Sequence, residues 1–180
     1  MNLKDKYNKK IISELKKKFN YKNDLECPRI VKATVNVGLG SGLKDTKYIE
    51  LAKKNLMAIT GQMPLKNKAK KSISGFKIRE GMIVGMSVTI RGNRMYDFVS
   101  RLVDVALPRV RDFRGISPKS VDKNGNLTIG IKEYIIFPEI EMEGVERLHG
   151  LEISISTTAK TYEQGLKLFK LLGFPFKKKN

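Results

Sequence analysis

Four short stretches of this chain alternate apolar with small polar residues, and a period of two restricts the possible folds more than any other property of the sequence. In residues 82–91, MIVGMSVTIR, Met82, Val84, Met86, Val88 and Ile90 share one side of an extended chain. Gly85, Ser87, Thr89 and Arg91 share the other. After Pro28, IVKATVNVG sets Val31, Ala33, Val35 and Val37 against Lys32, Thr34 and Asn36. Leu127, Ile129 and Ile131 oppose Thr128, Gly130 and Lys132, and Leu151, Ile153 and Ile155 oppose Glu152, Ser154, Ser156 and Thr158. Strands of this kind bury one face and leave the other to solvent or to a partner, which is the habit of antiparallel sheets.

Helical patterns separate these strands. Leu3, Tyr7, Ile11, Leu15 and Phe19 recur at intervals of four, with lysines at 4, 6, 9, 10, 16, 17 and 18 around them. Such a helix suits a membrane surface or a seat on its own domain with lysines toward solvent or phosphate; the second is the reading adopted, with no membrane partner. A helix from about residue 46 to 60 carries Tyr48, Leu51, Ala52, Leu56 and Ile59 and stops at Gly61. Asn93 is placed as the N-cap of a helix with Met95, Phe98, Val99, Leu102 and Ala106, ended by Pro108. Thr161 with Gln164 suggests a capping box for a last helix ending at Gly173. The expected fold is α+β: one domain over residues 1–180, a largely antiparallel sheet with helices on one face and an open polar face. The basic N-terminal helix occupies 1–20. Two long basic loops, 64–81 and 108–126, form no periodic element.

Charge decides what the open face is for. The chain carries 36 Lys+Arg against 18 Asp+Glu, a net +18 on 180 residues. Self-repulsion on this scale disfavours compaction unless a polyanion screens it, so the expected partner bears phosphates. Lys32, Thr34, Asn36, Ser87, Thr89 and Arg91, with the polar sides of the other two strands, would make a platform of small hydrogen-bonding groups able to approach a sugar-phosphate backbone. The strands lack the paired aromatics with which some RNA-binding sheets stack bases, so shape and backbone recognition is expected. Loops longer than about 12–15 residues in a compact domain are commonly functional. Here the first holds Lys66, Lys68, Lys70, Lys71, Lys77 and Arg79 around Phe76 and Ile78, and the second Arg109, Arg111, Arg114 and Lys119 around Phe113.

Other chemistries find little support. The cluster GLGSGLKDT, Gly38 to Thr46, joins a strand to a helix, but it lacks the glycine of a dinucleotide fingerprint and the Gly-Lys-Ser/Thr of a P-loop. It reads as a turn and helix start whose N–H groups could still hold an RNA phosphate. The lone Cys27 leaves no internal disulfide, and a pair with the lone His149 lacks an orienting third group. Glu139, Glu141, Glu143 and Glu146 suit a basic protein partner, or plain solvation, better than a metal. No enzyme activity, cofactor or metal is expected. The N-terminus MNLKDKYNKK has no apolar core of a signal peptide, and a cytoplasmic location is expected.

Longer motifs are more specific still. NVGLG (36–40), TGQMPLKNKAKKSISGFKIREG (60–81), VTIRG (88–92), ALPRVRDFRG (106–115), FPEI (137–140), ISTTAKT (155–161) and GFPF (173–176) occur in order along the chain. With these motifs the sequence resembles the bacterial large-subunit ribosomal protein number five, the family that binds 5S ribosomal RNA. The resemblance implies a structural protein of the central protuberance that helps attach 5S rRNA to the large subunit and neighbours other rRNA and other 5S-binding proteins. It implies 5S rRNA contacts at Asn36, Gln62, Thr89 and Arg91, beside Lys32, Thr34 and Ser87 of the platform. It implies a P-site tRNA contact at Gly75, Phe76, Lys77, Ile78 and Arg79, and an intersubunit bridge to a small-subunit head protein at Arg109, Arg111, Asp112 and Arg114. Lysine enrichment at both ends departs from the family pattern.

Overall fold

The computed structural model describes residues 2–43, 45–140 and 148–177. Strands β1 (Ile30–Gly38), β2 (Leu65–Lys68), β3 (Ile83–Ile90), β4 (Leu127–Ile131) and β5 (Leu151–Thr157) form one open antiparallel sheet in the order β2-β3-β1-β5-β4. Among the described residues four longer helices accompany it. Helix α1 runs through an α-segment Leu3–Lys6, a π-turn Tyr7–Ile11 and an α-segment Ile12–Phe19; α2 is Thr46–Thr60; α3 is Gly92–Arg101 extended by a π-turn Leu102–Ala106; α4 is Tyr162–Leu172. The α+β class expected from the sequence is the class observed. On β1, β3, β4 and β5 the apolar alternates are mostly buried and the polar ones partly or fully open. Contacts group the chain into two compact units: Met1–Ala33 with Ile90–Ile129 and Ser154–Asn180, and Thr34–Thr89 with Gly130–Ile153.

In the first unit α1 packs against α3 and α4. An apolar stripe at intervals of four drifts by about 40° per step on an ideal α-helix. The wider π-turn at Tyr7–Ile11 takes up that drift, so Leu3, Tyr7, Ile11 and Leu15 are all buried. The Tyr7 hydroxyl donates to the Pro28 carbonyl at 3.1 Å. Asn93 is not an N-cap: Arg91 holds that position, and the Asn93 side-chain oxygen accepts from Lys4 Nζ at 2.9 Å. Thr161 caps α4 by accepting from Gln164 N–H at 3.4 Å, but the Gln164 side chain accepts from Lys160 N–H at 2.9 Å, one residue earlier than a closed box requires. Gly165 of α4 sits directly on Gly125 of the turn before β4, where any Cβ would strike backbone. Val31, expected inward, is 41% exposed while Ile30 is buried; inward alternation on β1 begins only at Ala33. The preceding Arg29 is tied to Thr158 by two hydrogen bonds, its N–H donating to Thr158 Oγ1 at 3.0 Å and its carbonyl accepting from Thr158 N–H at 2.9 Å. That clamp offsets the start of the strand.

In the second unit the buried residues of α2 are those the period of 3.6 selects, Tyr48, Ala52, Leu56 and Ile59, together with Asn55 and Thr60. Asp45 caps the helix, accepting from Lys47 N–H at 3.1 Å and Tyr48 N–H at 3.3 Å, and Gly61 ends it at φ +65°. Asn55 and His149, two buried polar side chains, meet at 3.3 Å, and the His149 ring stacks on Tyr134 with centroids 4.2 Å apart.

Residues 62–81 are more ordered than their sequence implies. Leu65–Lys68 is a strand paired antiparallel with β3, Leu65 opposite Ser87 and Lys66 opposite Met86, with an irregularity at Asn67/Lys68. Only four residues long and half lysine, it offers no periodicity to detect; its partner β3 supplies the order.

Candidate nucleic-acid interface

The polar alternates of β1 and β3 lie on adjacent strands in the sheet order. In the second unit these are Thr34 and Asn36, both half-buried, half-buried Ser87 and exposed Thr89. Their sequence neighbours Ala33, Val35, Val37, Met86, Val88 and Ile90 are buried at 2% exposure or less, which turns the polar set to the opposite face. Gly85, on the polar side of β3, is buried: a Cβ there would stand 3.0 Å from the Val37 carbonyl, so glycine permits the close approach of β1. Ser87 is fixed by mutual hydrogen bonds with Asn67 of β2 at 3.2 and 3.3 Å. Gln62 follows the C-terminus of α2, exposed, its N–H held by Thr60 Oγ1 at 3.3 Å. Lys32 and Arg91 continue the same alternation in the first unit, half-buried and exposed. There Thr128 and Ser154 meet at 3.3 Å across β4 and β5.

The basic segment 64–81 is the far part of the β2–β3 hairpin. Beyond the paired strands, Ala69 N–H donates to Met82 O at 2.8 Å, Gly81 N–H to Ala69 O at 3.0 Å and Glu80 N–H to Ser72 Oγ at 2.9 Å. Ile73 and Ile78 exchange backbone hydrogen bonds at 2.9 and 3.1 Å. The five residues Gly75, Phe76, Lys77, Ile78 and Arg79 therefore sit at and just past the tip, where Phe76 is 72% exposed and Lys77 closes the turn at φ +54°. A side chain other than glycine, asparagine or aspartate in that region is uncommon and marks a specified backbone shape.

Residues 109–114 stand exposed at Arg109, Arg111, Asp112 and Arg114, with Phe113 half-buried. Asp112 adopts φ +52°. The C-terminal segment fixes the end of this loop: Ile116 N–H donates to Pro175 O at 2.7 Å, and Lys177 N–H to Ile116 O at 2.9 Å. Among the described residues, Lys32, Arg91, Lys77, Arg79, Arg109, Arg111 and Arg114 make no ion pair. Their charge is left to act outward.

The competing sites are already occupied by contacts within the chain. Gly42 lies under the Tyr48 ring with no room for a Cβ, and the Asp45 carboxylate already holds the N–H groups of α2 that might have bound a phosphate. Cys27 is buried with Sγ 3.9 Å from Ile12 O, and burial pushes its thiol pKa up, away from thiolate chemistry. Burial lowers the His149 pKa below the ordinary imidazole value, with the Gly150 backbone pulling the other way. Among the described residues no three His, Cys, Asp or Glu side chains gather as a metal site, and no helix is long and apolar enough to cross a membrane. Glu141, Glu143 and Glu146 lie outside the described residues.

Two family models match most of the chain. The family model of ribosomal protein L5 matches residues 23–79, and the model of the C-terminus of the same ribosomal family matches residues 83–176. The chain belongs to the ribosomal L5 family. It is 53% identical to the large ribosomal subunit protein uL5 of Desulforamulus reducens, over 98% of this chain and 97% of the relative. It is 48% identical to that of Carboxydothermus hydrogenoformans and 51% to that of Trichodesmium erythraeum, each over 97% of both chains. As an L5-family member the protein is a structural component of the large subunit of the cytoplasmic ribosome and not an enzyme. Leu65 and Met63 are exposed beside this interface and the sequence reading missed them. Their signal was present in the chain as two large apolar residues in a stretch without a single acid, 51–79.

Proposed function

We propose that this L5-family protein binds 5S rRNA through Lys32, Thr34, Asn36, Gln62, Ser87, Thr89 and Arg91 and helps anchor it in the central protuberance. The observation that supports this reading is the two-sidedness of β1 and β3: one side sealed, the other carrying small donors and acceptors, while Lys32 and Arg91 on the same strand alternation make no ion pair among the described residues. Hydroxyl and amide groups on a rigid sheet match ribose and phosphate oxygens, and Arg91 offers phosphate a charged fork. The hairpin tip, Gly75 to Arg79, exposes Phe76 and two cations and suits a contact with P-site tRNA. The Arg109, Arg111, Asp112 and Arg114 loop, braced by the C-terminal segment, suits a bridge to a small-subunit head protein. Neighbouring large-subunit rRNA and other 5S-binding proteins complete the surroundings.

Filter binding with 5S rRNA at several salt concentrations tests the central assignment. Arg91→Ala should weaken binding and lower the slope of log K against log salt by about 1, the signature of one lost phosphate contact. An unchanged affinity with an unchanged slope refutes the role of Arg91. A nuclease footprint on total rRNA should show protection confined to 5S rRNA and the adjoining large-subunit helix.

A further inference from the structure

The open side of the sheet is not uniformly polar. Leu65 lies directly opposite Ser87 in the β2–β3 pairing. Asn67, two residues on along β2, reaches Ser87 Oγ with its side chain, so Leu65 shares the face that carries Ser87 and Thr89. Leu65 is 69% exposed there. Met63, two residues earlier, is 59% exposed, while Pro64 between them is buried. Because β2 is an edge strand, Leu65 makes an apolar step at the rim of the polar face, with exposed Met63 two residues before it along the chain.

We propose that Met63 and Leu65 form a seat for an unstacked nucleobase of the bound RNA. The proposal rests on the 5S rRNA reading above and goes further than backbone recognition. Charge complementarity selects this occupant over an apolar protein surface. From Leu51 to Arg79 the chain holds eight lysines and arginines and no acid, which favours an occupant that is anionic around an apolar centre. A base extruded from a folded RNA has that character, a flat apolar face carried on phosphates. Neighbouring groups complete the seat. Ser87 and Asn67, locked to each other, keep lone pairs and amide hydrogens for a base edge, and exposed Gln62 presents a further amide. Lys66 and Lys68 on the same strand are exposed and bear no ion pair among the described residues. Lysines on an edge strand also oppose pairing with another sheet, which argues against a second protein strand here.

The test is filter binding of the full-length chain to a 5S rRNA transcript and to a fully paired RNA duplex of equal length. The double substitution Met63→Ala with Leu65→Ala should lower affinity for 5S rRNA about tenfold, leave the salt slope unchanged and leave duplex binding unchanged, because the lost contact is apolar and carries no charge. Leu65→Phe, which keeps an apolar seat, should retain the affinity. Circular dichroism should show both variants folded, since neither side chain is buried. An unchanged affinity in the double variant, alongside a weakened Arg91→Ala, overturns the seat and leaves the 5S rRNA reading standing. If the native chain prefers 5S rRNA no more than duplex, that reading falls and the seat with it. A photo-crosslinking side chain at position 65 in assembled subunits should attach to an RNA base; attachment to a protein overturns the proposal.

Discussion

His149 shows how a single residue can be legible in type and illegible in role. As the only histidine it invited a catalytic reading, yet its ring stacks on Tyr134, meets Tyr48 edge-on at 6.2 Å between centroids and shares a hydrogen bond with Asn55. Burial depresses its pKa below 6.5, so the unfolded chain takes up a proton before the folded chain does. Stability is therefore greatest above pH 6.5 and falls as the pH drops from there toward the depressed folded value. Urea unfolding at pH 7.5 and at pH 5.5 should give a lower midpoint at the acid pH, and His149→Gln should shrink the difference. Equal pH dependence in both proteins would show that the loss comes from other groups. A cluster of this kind has no linear motif, because Tyr48, Asn55, Tyr134 and His149 are brought together by folding alone.

Among the elements, α1 and α4 carry the clearest departures from what periodicity predicts. The stripe at intervals of four on α1 was legible, but the π-turn that lets it stay buried was not; the sequence states the spacing and packing against α3 and α4 chooses the helix geometry that serves it. Helix α4 was expected from its cap and its Gly173 stop, whereas the role of Gly165 appears only when Gly125 is found against it. Gly165→Ala should destabilise the protein by about 1–3 kcal/mol, because the added methyl meets a backbone that cannot step aside. Chemical denaturation measures this; a loss under about 0.5 kcal/mol, the range of neutral surface changes, would mean the turn relaxes freely. Strand β2 was missed altogether. Its pairing partner lies some twenty positions away, and pairing, not propensity, makes LKNK a strand.

For the whole molecule, the excess of 18 positive charges is a standing repulsion that the fold tolerates and a polyanion relieves. The thermal midpoint of the free protein should rise as salt is increased from about 0.05 to 0.5 M, since the Debye length shortens from roughly 14 to 4 Å over that range. Scanning calorimetry reads it, and a midpoint that falls with salt would show attraction outweighing repulsion. We propose that residues 1–180 fold as one domain, because the division between the two contact units falls within β1, β3, β4 and β5 and not in any linker. The same scans should then show one transition. Membership of the L5 family was legible in motifs running through the whole chain, and the α+β class in its alternating strands. Periodicity and charge are written residue by residue, so the sequence alone determined the apolar side of β3, β4 and β5, the presence of the four helices, and that the partner is polyanionic. Only tertiary structure decided that Leu65 stands beside Ser87, that Gly165 sits on Gly125 and that the C-terminal segment braces the arginine loop. Those facts depend on which distant segments meet, and the free energy of meeting is shared across many contacts that no local stretch of chain encodes.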